Sequence, residues 1–108
     1  MKKKFIVKKN EEFKKILNNN KKIKDYYYSI YYIENKKNYN RFGISVSKKL
    51  GNAVIRNKYK RITKNIIDNI IIKSIIKKDF IIILKTTTLN EKYSILYNDL
   101  NKLINKIK

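Results

Sequence analysis

The sequence predicts an α+β fold in a single domain over residues 1–108, ordered helix, two or three strands, helix, strand, helix. Three observations carry that expectation. The chain has 108 residues, no Pro and only 2 Gly, so no Pro-rich or Gly/Ser-rich stretch marks a boundary, and the length suits one core better than two. Apolar residues recur at helical spacing in three segments and alternate or run together in the others. One helical segment also lies between two strand segments, which implies a helix crossing over a sheet.

Taken in order, Asn10 suits an N-cap and Glu11 and Glu12 suit the positive end of a helix dipole. Phe13, Ile16 and Leu17 follow at helical spacing, and this first helix is expected to end near Asn18 to Asn20. From Ile23 to Ile33 the chain is dense in Tyr and Ile, with Tyr28, Ile30 and Tyr32 alternating with Tyr27, Ser29 and Tyr31; this reads as strand, in one piece or two. Glu34 to Asn40 is polar turn material, after which Phe42, Ile44 and Val46 alternate with Gly43, Ser45 and Ser47 in a cleaner strand.

Gly51 punctuates the backbone before a long helix expected to open near Asn52. On a helical wheel Ile55, Tyr59, Ile62, Ile66 and Ile70 share one arc, while Arg56, Lys58, Lys60, Arg61 and Lys64 spread over the opposite side with Asn57 among them. Ile71 and Ile72 would point outward, so the helix is expected to end or bend there. Phe80 to Lys85 reads as a short buried strand. Thr88 with Glu91 three residues on forms a capping box for a last helix whose Leu96, Leu100, Leu103 and Ile107 share a face.

The formal charge is +20, from 28 Lys and Arg against 8 Asp and Glu. Self-repulsion on that scale points to a polyanionic partner. Part of it has a plainer source, since 25 Lys, 15 Asn and 21 Ile beside a single Ala reflect an AT-rich coding sequence. Arginine escapes that explanation: there are three, and Arg56 and Arg61 sit in one helix. The planar guanidinium meets phosphates and base edges bidentately, which lysine cannot copy.

Without Cys or His, thiol catalysis, disulfides and the usual zinc sites are excluded. Lys2 to Lys4 precede an apolar run of only Phe5, Ile6 and Val7, too short for a signal peptide core, and no run approaches the roughly 20 residues that span a bilayer. The expected location is the cytoplasm, with no membrane contact.

Residues 47–64, SKKLGNAVIRNKYKRITK, contain seven Lys or Arg and no acid. A solvated charged face is the plain reading of such a helix. Against it stand the absence of any carboxylate within the segment and the placement of both helix arginines around Asn57, a mixture suited to phosphate and base contacts.

The run from Arg41 to Arg61, RFGISVSKKLGNAVIRNKYKR, resembles the signature region of the bacterial ribonuclease P protein family, whose motif places an Arg-Asn-Arg triplet at the start of a basic helix. Here the triplet is Arg56-Asn57-Lys58; the lysine keeps the charge and loses the fork, which favours a phosphate contact there. The resemblance extends to the length, the NEEF segment from Asn10 to Phe13, the aromatic strand, Asp79-Phe80 and the last helix.

The resemblance implies a four-stranded sheet with packed helices, similar to the second domain of ribosomal protein S5, with a left-handed βαβ crossover through the motif helix, against the usual rule. It also implies a subunit of a ribonucleoprotein endonuclease that removes the 5′ leader of precursor tRNA. The partners would be a catalytic RNA subunit, with one protein per RNA, and the precursor tRNA. Mg²⁺ would be bound mainly by that RNA, with no cofactor on the protein. Lys48, Lys49, Asn52, Arg56, Asn57, Lys58, Lys60 and Arg61 match the RNA-binding motif, Arg56 and Asn57 also lying near the leader. Phe13, Leu17 and Tyr31 match positions of a cleft for the single-stranded leader. Aromatic faces in such a cleft would hold unstacked bases without sequence preference. Phe13 and Leu17 also fit plain core positions, and Tyr27, Tyr28 or Tyr32 can exchange roles with Tyr31.

Catalytic residues are not evident. Hydrolysis of a phosphodiester needs an activated nucleophile and charge stabilisation, whereas Glu11 and Glu12 point apart on one helix and the six other acids are scattered along the chain. Two other classes share part of the pattern: a structural RNA-binding protein such as a ribosomal one, and a DNA-binding module, although the latter usually sets its recognition helix within a compact helical motif.

Overall fold

The computed structural model describes residues 1–19, 21–70 and 77–107. Its elements are α1 (Asn10–Leu17), β1 (Lys22–Lys24), β2 (Tyr28–Glu34), β3 (Arg41–Ser45), α2 (Ala53–Asn69), β4 (Lys78–Leu84) and α3 (Tyr93–Asn105). Short 3₁₀ turns occupy Lys3–Phe5, Lys48–Leu50 and Thr86–Thr88. The most apolar strand takes an interior position: the sheet runs β1-β2-β4-β3, with β2 antiparallel to both β1 and β4, and β3 parallel to β4. The parallel pair is what requires α2 to cross over between its two strands.

The two-residue period of the strands sorts their side chains. Tyr28 and Ile30 of β2, Phe42 of β3 and Phe80, Ile82 and Leu84 of β4 are buried on one face, against Tyr59, Ile66 and Ile67 of α2 and Leu96, Leu100, Leu103 and Ile104 of α3. The rings of Phe42 and Phe80 stack there with centroids 5.1 Å apart. The opposite face carries a smaller cluster, in which Ile16 of α1, Val7 and Ile81 are buried, with Phe13, Tyr31, Ile33 and Ile83 packed around them. The β2/β3 alternation and the apolar faces of α2 and α3 therefore follow the sequence pattern closely.

Three local expectations fail. Asn10 is the first residue of α1 and not its cap; Lys9 holds the cap position, with no side-chain hydrogen bond. Thr88 and Glu91 do not form a capping box. Thr88 closes a 3₁₀ turn by donating its hydroxyl to the Lys85 carbonyl, Asn90 takes a left-handed φ of 63°, and α3 opens two residues after Glu91. The Glu91 carboxylate is instead held by Tyr27, whose hydroxyl donates to it at 2.8 Å. Ile55, assigned to the buried arc, stays 37% exposed because it lies on the first turn of α2, where it packs over Gly51. Ile71 and Ile72 lie outside the described residues; α2 ends at Asn69, and Ile70 is already extended.

Candidate nucleic-acid interface

α2 presents its basic residues as two flanks. Asn52 caps the helix, its side chain accepting from the Ile55 backbone N–H at 3.1 Å. Gly51 before it has φ of 144°, where a Cβ would be strained and would meet Ile55 Cδ1 at 2.9 Å. Seated this way, Tyr59, Thr63 and Ile66 face the core, and Asn57 and Arg61 face away from it, exposed. Lys60 and Lys64 lie on the flank turned toward α1, where both line a cleft. Lys58 lies on the other flank, its ammonium 5.9 Å from the Tyr59 ring centroid. Arg56 is half-buried, and its Nε is shielded from solvent without a hydrogen-bond acceptor among the described residues. Lys48 and Lys49 are exposed in the turn that leads into the helix.

The cleft has a volume of about 530 Å³. Its apolar lining is Phe13 and Leu17 of α1, Ile6 and Val7 of the N-terminal segment, and Phe42 and Ile44 of β3; its rim carries Lys8, Lys14, Lys60 and Lys64. Four lysines around an apolar trough, with no acid in the lining, suit an anionic chain that presents unstacked bases. The trough exists because α1 lies close to the sheet. Phe13 sits so tightly over Gly43 that a Cβ there would meet Phe13 Cζ at 2.7 Å and Ile81 Cδ1 at 2.8 Å. Leu17, 38% exposed, forms the open end.

Beside this contact an ion network ties α1 to the sheet. Arg41 Nε donates to Asp79 Oδ1 at 2.9 Å, and its Nη2 donates to Asp79 Oδ2 and to Glu12 Oε2, both at 2.6 Å. Asn35 Nδ2 donates to Asp79 Oδ1 at 2.8 Å. The Asp79 hydrogen bond, reinforced by Glu12, raises the Arg41 pKa above its already high usual value despite partial burial. Arg41 is therefore a structural arginine: Glu12 and Phe13 are neighbours on α1, Arg41 and Gly43 are neighbours on one face of β3, and the two contacts hold the helix together.

Of the expected leader positions, the cleft unites Phe13 and Leu17. Tyr31 shares their sheet face and packs in the same cluster, with the Lys22 ammonium 5.8 Å from its ring, but it does not line the cleft. Its alternatives are separated from it by parity and pairing: Tyr28 is buried in the opposite core, Tyr32 packs on that core, and Tyr27 is engaged by Glu91. Nothing in the local sequence marks the rim lysines Lys8, Lys14 and Lys64 as members of one site. In a chain with 25 lysines only the fold distinguishes those that share a rim. Among the described residues no three of His, Cys, Asp and Glu come together in a way that could hold a metal ion, and no described helix is long and apolar enough to cross a membrane.

Comparison with known proteins agrees along the whole chain. Residues 1–108 match the family described as Ribonuclease P. The ribonuclease P protein component of Mycoplasma capricolum is 47% identical over 109 residues, covering 100% of both chains. That of Mesoplasma florum is 42% identical over 105 residues, 96% of each. The solved structure of the Staphylococcus aureus RNase P protein superposes with a TM-score of 0.82 at 32% identity, covering 96% of this chain and 95% of that one. The Thermotoga maritima RNase P protein has the same fold, with a TM-score of 0.83 at 23% identity over 94% of this chain and 96% of that one.

Proposed function

The chain belongs to the Ribonuclease P family, and from that premise we propose that it binds the catalytic RNA of the enzyme through α2 and grips the 5′ leader of precursor tRNA in the cleft beside α1. The family's activity is ribonucleolytic and its work is tRNA processing. In this reading the protein is an accessory subunit, one per RNA in the cytoplasm, without catalytic residues of its own.

The observation that carries the proposal is the position of Lys60 and Lys64. They belong to the basic helix and also form one wall of the trough that holds Phe13 and Leu17. A phosphate backbone following α2 would thus pass directly to an apolar floor where bases can lie. Lys48, Lys49, Asn52, Lys58 and Arg61 are accessible for phosphate contacts, and Arg56 stands half-buried among them on α2. In this proposal Mg²⁺ is bound mainly by the RNA subunit. The protein contributes by neutralising phosphate repulsion and by orienting the leader, which also lowers the Mg²⁺ concentration the RNA requires.

The test is cleavage of a precursor tRNA by the cognate RNA at low Mg²⁺, with and without the protein. Strong stimulation is expected; none would overturn the proposal. Phe13→Ala is expected to weaken binding of precursor tRNA by about 1–3 kcal/mol and to leave mature tRNA, which lacks the leader, unaffected. An equal loss for both RNAs would remove the cleft from the leader's path.

A further inference from the structure

The flank of α2 turned away from the cleft ends in an aromatic surface that the leader reading leaves unused. Tyr93 and Tyr97, one turn apart on α3, stack with ring centroids 6.3 Å apart and planes 24° apart. Both reach across to α2: the Tyr93 hydroxyl donates to Asn65 Oδ1 at 2.5 Å and the Tyr97 hydroxyl donates to the Asn69 carbonyl at 2.7 Å. Their orientation is thus fixed before any ligand arrives, which removes most of the ordering cost of binding. Tyr93 nevertheless stays 44% exposed. The shallow pocket here, about 400 Å³, is lined by the two rings with Asn69, Ser94 and Asn98, side chains that hydrogen-bond and carry no charge.

We propose that this tyrosine pair is a stacking site for an unpaired base of the RNA subunit, with the neighbouring Asn and Ser groups meeting the base edge. Three features choose that occupant. An exposed, rigid aromatic face bordered by neutral polar groups suits a nucleobase better than an apolar peptide. On the helical wheel, Lys58, Arg61 and Asn65 run toward Asn69 along one stripe of α2, so the phosphates held by the first two lead to the rings. From Lys58 to Asn69 this stripe is about 16 Å long at 1.5 Å per residue, a length of a few nucleotides. The leader cleft lies on the opposite flank of the same helix, which assigns this surface to the RNA subunit and not to the substrate. The inference rests on the proposal that α2 binds that RNA.

The experiment uses the full chain and the RNA subunit, first without precursor tRNA and then with it. Tyr93→Leu, which keeps an apolar group and removes the π-face, should raise the Kd about tenfold and restore base-directed chemical reactivity at one or two unpaired nucleotides that the wild-type protein shields. Tyr93→Phe, which keeps the ring and loses only the hydroxyl's bond to Asn65, should retain the shielding and most of the affinity. Independently of any variant, ultraviolet crosslinking of the wild-type complex should join RNA to the peptide that contains Tyr93. Crosslinks confined to peptides of α1 and α2, or a Tyr93→Leu protein with unchanged affinity and shielding, would overturn the stacking site alone. Loss confined to precursor tRNA binding would overturn its assignment to the RNA subunit. Failure of the wild-type protein to bind the RNA subunit would instead overturn the functional reading on which the inference rests.

Discussion

The two faces of the sheet are finished differently. One is closed by two helices, α2 and α3, into a core where Ile30, Ile66, Phe80, Ile82, Leu100 and Ile104 are fully buried. The other is covered by the eight residues of α1, beneath which Ile16, Val7 and Ile81 form a small buried apolar cluster, and a trough is left along the edge. The difference separates two tasks. Apolar burial, the main stabilising term, is concentrated beneath α2 and α3, whose outer surfaces and not their packed interior are proposed to meet RNA. On the leader side an ion network and one tight ring contact position α1 without filling the space beside it.

The largest effect should come from the closed face. Phe80→Ala is expected to cost about 3–5 kcal/mol, read from the urea unfolding midpoint, whereas Leu17→Ala should cost under about 0.5 kcal/mol. Comparable losses would erase the contrast. Next comes the network on the open face. Arg41→Ala leaves the Asp79 carboxylate, only 6% exposed, without its main partner, and an expected cost of about 3 kcal/mol should appear in the same measurement. Arg61→Ala, exposed on α2, should change stability by less than about 0.5 kcal/mol and reduce the slope of log affinity against log salt by about 1. If Arg41→Ala were as mild as Arg61→Ala, the network would not be what holds α1.

The smallest expected effect is a pH dependence at the closed face. Burial, with a hydrogen bond and charge repulsion from Asp25, raises the Asp99 pKa from 3.8 to about 7, against the opposing pull of Lys102 and Lys106. Asp25 is itself occupied in the turn before β2, accepting from the backbone N–H groups of Tyr27 and Tyr28 at 2.9 Å; Glu91 lies across from that turn on Tyr27. The folded protein keeps the Asp99 proton where the unfolded chain has lost it, so stability falls as pH rises from 3.8 through about 7. Asp99→Asn should raise Tm by a few degrees at about pH 8, after allowance for solvent screening, and leave it nearly unchanged at about pH 4. A wild-type Tm that rises across this range would contradict the pairing.

Much of this division was legible in the sequence, since Tyr28, Ile30 and Tyr32 declare one face by parity and Leu96, Leu100 and Leu103 declare another by helical spacing. The start of α3 was not. Thr88 and Glu91 carry the right residues for a capping box, but Tyr27, 64 positions away, claims the glutamate. Arg41 was equally opaque: nothing local tells that its partners are Glu12 and Asp79, 29 and 38 residues distant. The basic side of α2 could be read from a wheel, yet its split into two flanks depends on what stands on either side, α1 with its trough or α3 with its tyrosines. Periodicity records which way a residue points and is silent about what it will face.

The borders of the sheet bear on the protein's life before it meets RNA. β1 spans three residues, with Lys22 and Lys24 exposed on either side of Ile23, too short and too charged to template another strand. At the other border the Val7 N–H donates to the Phe42 carbonyl at 2.9 Å, and Ile6 bridges Phe42 in parallel register, so the N-terminal segment occupies part of the pairing position that a second copy would take. Both borders thus disfavour edge-to-edge pairing of one copy with another, and the net charge of +20 adds mutual repulsion between copies.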